Sequence, residues 1–246
     1  MDNRFQGRVD SRPVATVDID EGLRKHMLRV YNYMTLGLGL TGAVAYAVVS
    51  VPALRDLFYV MQGNVLVGVK PMAYVAMFAP LAFILVISFG INRMKASTAQ
   101  LLFWLFAAAM GASLSNILLV YTGVSVARTF FVTAAAFGAL SLYGYTTKRD
   151  LTAMGKFLFM GMIGLFLAMI VNLFMQAPAL QFAISAIGVL IFAGLTAYDT
   201  QKIKEMYLEA DSSEIAGKKA IMGALKLYLD FILMFQFLLY FMGGRE

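Results

Sequence analysis

Residues 157–198, FLFMGMIGLFLAMIVNLFMQAPALQFAISAIGVLIFAGLTAY, run for 42 positions without a charge. A spanning helix needs about 20 apolar residues at 1.5 Å each to cross about 30 Å of hydrocarbon, so the run is about two spans long. MQAPAL (175–180) interrupts it near the middle, with Pro178 supplying a turn. The stretch therefore reads as a tight hairpin of two membrane-crossing helices. It ends at an aspartate, Asp199, in LTAYDTQKIKEM (195–206), and a second, Asp230, sits inside KLYLDFILMF (226–235).

Outward from this hairpin, five more segments have spanning length. They cover about 30–51, with Tyr31 and Tyr33 where an interfacial aromatic belt would lie; about 71–91, opening at Pro71 and ending before Arg93 and Lys95; about 98–120, with Trp104; about 126–146, closing at TTKRD; and about 220–242, stopping at GGRE. With 61% hydrophobic and 14% charged residues over 246 positions, a soluble core is excluded. The expected fold is an all-α integral membrane protein of seven transmembrane helices over 29–246, preceded by a tail at 1–28. The tail mixes both charge signs and lacks the apolar core of a cleavable signal peptide. Sixteen of the 20 Lys and Arg fall on one side when the tail is placed in the cytoplasm, which predicts the N-terminus inside and the C-terminus outside. The basic balance is thus a topology signal, and nucleic acid is not an expected partner.

The chain has no cysteine, and His26 is its one histidine, so disulfide scaffolds, zinc and haem chemistry are disfavoured and no cofactor is expected. Intramembrane hydrolysis needs a nucleophile with a base, or a metal dyad, and His26 lies in the tail. Two membrane aspartates on neighbouring helices also describe a diaspartyl protease, but neither YDT nor LDF has the glycine flank of that motif. The chain is not expected to be an enzyme. Small residues recur in GLGLTG (37–42), AAAMGASLS (107–115) and FGALSLYG (137–144); these read as faces where helix backbones approach closely.

A charge at mid-bilayer costs roughly 2.5–3.5 kcal/mol, so Asp199 and Asp230 each call for a partner, water or a proton. Alone, Asp199 is a wetted interfacial aspartate, and Asp230 pairs with Lys226 four residues earlier. Lysine before aspartate is the weaker order, however, and Lys226 can instead snorkel toward the cytoplasm. Brought together, two carboxyls in a low dielectric could not both ionise easily and would titrate as one unit, a proton-operated latch. Helix counting leaves them at depths differing by about 8–10 Å. Tilt or a short, broken seventh helix is needed to close that gap.

SLYGYTTKRDL (141–151), LTAYDTQKIK (195–204) and LYLDFI (227–232) resemble the Bax inhibitor-1, or transmembrane Bax inhibitor motif, family, most closely its bacterial YbhL/YccA-like branch. The likeness runs from about residue 22 to the end. It implies six helices around a central seventh and a pH-sensitive calcium leak, with Asp199 and Asp230 as the hydrogen-bonded pH sensor and gate. Relatives with a described latch also carry an arginine just after the second helix, for which Arg93 is the candidate. They carry as well a glutamate about three turns earlier, where APLAFILVISFGIN (79–92) has no acid. Lys226 stands where the related motif has a small or hydroxyl residue. A cation there favours an ionised Asp230 and moves opening to lower pH.

The resemblance also implies calcium as the permeant ion, with transient contact at Asp199 and Asp230, and a bacterial inner membrane as the location. The alternative is a regulator without flux that binds another membrane component, such as a membrane protease. A proton-coupled transporter is the third reading, but no matching broken helices mark the two halves of the chain.

Overall fold

The computed structural model describes residues 15–63 and 65–244. In chain order the elements are α1 (Ala15–Ser50), α2 (Pro52–Phe58), β1 (Tyr59–Gln62), β2 (Val65–Val69), α3 (Pro71–Gly90), α4 (Ala96–Leu114), α5 (Ile117–Val120), α6 (Gly123–Thr146), α7 (Thr152–Met175), α8 (Pro178–Glu205) and α9 (Ser213–Met242). Seven helical segments among the described residues, with α4 and α5 counted as one, are long and apolar enough to cross a membrane. Pro52, Pro71 and Pro178 open α2, α3 and α8, where a missing N–H has no helical partner to lose. Thr122 and Ser212 cap α6 and α9 through their side chains.

The expected hairpin at 175–180 forms with a residue-level mechanism. Gln176 takes a left-handed backbone (φ 48°) to end α7. Asn172 then receives the Ala177 N–H at 3.1 Å and donates to Gln181 at 2.9 Å, so the turn keeps its polar groups satisfied inside the membrane-facing bundle.

The first 14 residues of the expected tail lie outside the described ones; α1 is continuous from Ala15, and His26 and Met27 are buried in the bundle. Tyr31 and Tyr33, expected in an interfacial belt, turn inward: Tyr31 bonds Ser141, and Tyr33 packs on Phe103 and Trp104. The β1–β2 ribbon, joined antiparallel with Tyr59 opposite Val69, was not foreseen. Tyr59 anchors it by a 2.7 Å bond to Ser115.

The most buried element is α9, with Ala224, Leu227, Tyr228 and Met234 fully covered. It packs against α1, α4, α6 and α8, whereas α3 lies chiefly on α4 and α7 on α8. The C-terminal helix is therefore central, with four direct neighbours and two helices in an outer layer. Outward residues such as Phe89 and Phe174, both 82% exposed, present apolar side chains where lipid would lie.

Because lipid tails are as apolar as leucine, close approach of backbones, not burial of oil, holds such a bundle. A Cβ at Gly144 would run into the Ala197 carbonyl, and one at Gly111 would come within 2.5 Å of the Thr41 carbonyl. These glycines set the α6–α8 and α1–α4 contacts. Gly138, six residues before Gly144, has nothing within 4 Å of that direction. Gly144→Ala is expected to lower stability by about 1–3 kcal/mol through overpacking, while Gly138→Ala costs nothing; thermal unfolding of both purified variants in detergent checks the contrast.

Candidate functional site

Asp199 lies six residues before the end of α8, and Asp230 lies in α9. The two carboxyl groups are neighbours across the α8–α9 contact, each within electrostatic reach of the other and of Lys226. Carboxylates only accept, so a hydrogen bond between the two needs a proton on one of them. Asp230 is 5% exposed, and its Oδ2 receives no N–H or O–H from a described residue. Asp199 keeps a side-chain exposure of 15%. One acid is thus sealed in the protein and the other reaches its edge.

The expected depth gap closes with α9 unbroken from Ser213 to Met242. The antiparallel register is fixed by Phe192 stacked on Phe237 at 5.8 Å and by Ile203 against Gly223. At that level α8 ends two residues on, at Glu205, whereas α9 began ten residues earlier, at Ser213. The seventh helix therefore starts about 15 Å beyond the level of Ile203. Counting from the edges of apolar runs hides this overhang, because Glu214, Lys218 and Lys219 break the apolar run within it.

Lys226 does not bond along its own helix to Asp230. Its Nζ lies 3.6 Å from Asp199 Oδ1. The long side chain crosses to the neighbouring helix instead of following its own. Arg93 is exposed in the turn after α3 and forms no ion pair with a described residue. The structure brings Asp199, Asp230 and Lys226 together and leaves Arg93 out of the group. Among the described residues no cluster of three or more acids, histidines or cysteines could hold a metal ion.

Hydroxyls tie together the helices that carry the acids. Tyr31 on α1 meets Ser141 on α6 at 2.6 Å, Ser141 meets Thr200 at 2.9 Å, and Thr200 donates to the Thr196 carbonyl at 2.7 Å. This chain ties three helices together next to Asp199. On α9, Tyr228 meets Thr41 at 2.6 Å, within reach of the Ala107 and Gly37 carbonyls. Gln201 donates to the Arg149 carbonyl and accepts from the Leu151 N–H, both at 2.8 Å, and Lys204 donates to the Tyr145 carbonyl at 2.8 Å. The end of α8 is thereby clamped to the α6–α7 connection. Sequence reading missed this set because its members lie 50 to 187 positions apart; the signal available was the density of hydroxyls around LTAYDTQ.

Thr200→Val keeps the shape but leaves Ser141 without one partner, at an expected cost of about 1–3 kcal/mol. Arg93→Gln is expected to stay within about 0.5 kcal/mol of the parent. Denaturant or thermal unfolding in detergent measures both.

Residues 23–246 match the family model described as "Inhibitor of apoptosis-promoting Bax1". An uncharacterized protein of Caulobacter vibrioides is 53% identical over 245 residues, covering 99% of this chain and 98% of that one. An uncharacterized protein of Rickettsia prowazekii is 50% identical over 227 residues, 92% of each chain. The inner membrane protein YbhL of Escherichia coli K12 is 45% identical over 227 residues, covering 92% of this chain and 94% of its own.

Proposed function

The chain belongs to the Bax inhibitor family of membrane proteins, and from that membership and its carboxyl pair we propose a cation leak pathway, calcium foremost, gated by protonation in a bacterial inner membrane. The observation that carries the reading is that Asp199 and Asp230 stand side by side across the α8–α9 contact, where a shared proton would join them by a hydrogen bond. Removing that proton exchanges an attraction for a repulsion. Two unit charges about 4 Å apart repel by about 4 kcal/mol at an effective dielectric constant of about 20. A shift of about 5.5 kcal/mol turns a 1:99 equilibrium into 99:1, so loss of the shared hydrogen bond plus this repulsion is of the size needed to part α8 from α9. Asp199, at the protein's edge, is the route by which the proton leaves. Lys226, beside it, favours the deprotonated pair.

The sign follows directly. Low pH keeps the proton shared and the helices joined; rising pH parts them and increases flux. Beyond Asp230, α9 continues into buried Met234, Phe235, Phe237 and Leu239, so conduction along this helix requires the surrounding helices to move. The same packing favours the second reading, a regulator that binds another membrane protein, such as a membrane protease, and carries no ion.

Purified full-length protein in liposomes with a trapped calcium dye separates the two. Calcium entry is expected to rise as pH is raised; no entry at any pH would leave the regulator. In Asp230→Asn and Asp199→Asn an amide N–H bonds the remaining carboxylate at every pH, so entry stays low and flat. Lys226→Ala is expected to move the midpoint of entry upward by less than about one pH unit, since a half-exposed ion pair contributes about 0.2–1 kcal/mol. An unmoved midpoint would remove Lys226 from the gate.

A further inference from the structure

Helices α1 and α6 both pack on α9 but not on each other along their length. The Tyr31–Ser141 hydrogen bond reaches across between them. Between them runs a slot. Its first part, about 550 Å³, extends from Arg24 and Tyr145 at the mouth, past Met27, Tyr31 and Ser141, to Met34 and Phe137. A second part of about 520 Å³ shares Met34 and Phe137 and continues to Gly39 and Phe130, floored by Phe231 of α9. The rims, Leu28 and Leu142, are 50% and 63% exposed and apolar, so the slot opens sideways to hydrocarbon.

The walls explain part of the glycine pattern. Gly37, Gly111 and Gly144 face backbone or aromatic rings of neighbouring helices, but Gly39, Gly42 and Gly138 have nothing within 4 Å of where a Cβ would stand. They widen the slot; they do not join helices.

We propose that this slot is a binding site for one anionic glycerophospholipid, its acyl chain lying between α1 and α6 and its phosphate at Arg24. Ten residues of α1 separate Arg24 from Met34, about 15 Å, which is half of a hydrocarbon core about 30 Å thick. The first part of the slot therefore matches the depth of one leaflet, and the second part, to Gly39, takes the end of a longer acyl chain. The mouth is basic: Arg24 is exposed, Glu21 nearby is taken by Lys25 at 2.7 Å, and exposed Lys148 and Arg149 follow Tyr145 at the end of α6. A chain in the slot covers the Tyr31–Ser141 bond and so lies against the hydroxyl relay to Thr200, next to Asp199. The site stands apart from the proposed flux, because occupancy is read without any ion.

The full chain in neutral maltoside micelles, given equal phosphatidylglycerol and phosphatidylcholine of identical acyl chains, is examined by native mass spectrometry. One bound phosphatidylglycerol is expected, favoured about fivefold, the effect of one arginine on an anionic headgroup. Arg24→Gln is expected to equalise the two lipids. Gly138→Phe, which fills the slot, is expected to lose both while keeping the parent unfolding temperature, and Gly39→Leu is a second plug. Equal occupancy in the parent, lipid retained in either folded plug variant, or a bound polypeptide in place of lipid would overturn the proposal.

Discussion

A carboxyl group inside a lipid-embedded bundle has only protein to answer it, because the hydrocarbon around it offers neither water nor counterion. Asp230 is placed at the centre of the most enclosed helix, and what it meets is another acid. The surrounding architecture follows from making that meeting tolerable. Helix α8 must present Asp199 at the same level, so it is clamped at its end through Gln201 and Lys204 and tied sideways through Thr200 and Ser141. Helix α9 must be held in register, so aromatic stacking at Phe237 and a glycine at 223 fix it against α8.

The packing has two modes that share one composition. Where Gly111 and Gly144 sit, backbones touch and the structure is rigid. Where Gly39, Gly42 and Gly138 sit, the same residue type leaves space. A short motif of small residues thus says that something comes close without saying whether it is a helix or a lipid chain. Only the neighbours decide.

Spans were easy to read because charge-free runs are long and their ends are marked by Lys, Arg or Pro. The 157–198 run with Pro178 at its middle is the plainest case, and Gln176 and Asn172 add the turn chemistry that composition alone does not show. The ribbon at 59–69 was missed although YVMQGNVLVGV places Gly63-Asn64 between β-branched residues, a hairpin signal overshadowed by the search for spans. The two acids were legible as a pair through their motifs, but their common depth was not. Apolar runs mark where lipid begins, whereas helices continue past it, and α9 starts well before its greasy portion. Lys226 pairs with the next helix and not along its own, because spacing along one helix says nothing of the helix beside it. Tyr31 looked interfacial for the same reason; its bond to Ser141 spans 110 positions.

The overhang of α9 has a mechanical meaning. Its opening turn is not free: the Glu214 carboxylate holds the first N–H of α4, and Lys219 grips Asp211 at 2.6 Å. From Ser213 to Asp230 the helix has no kink-forming proline, so it behaves as a stiff rod about 25 Å long. Torque applied to the protruding stub is delivered, with little loss, to the acid at its inner end.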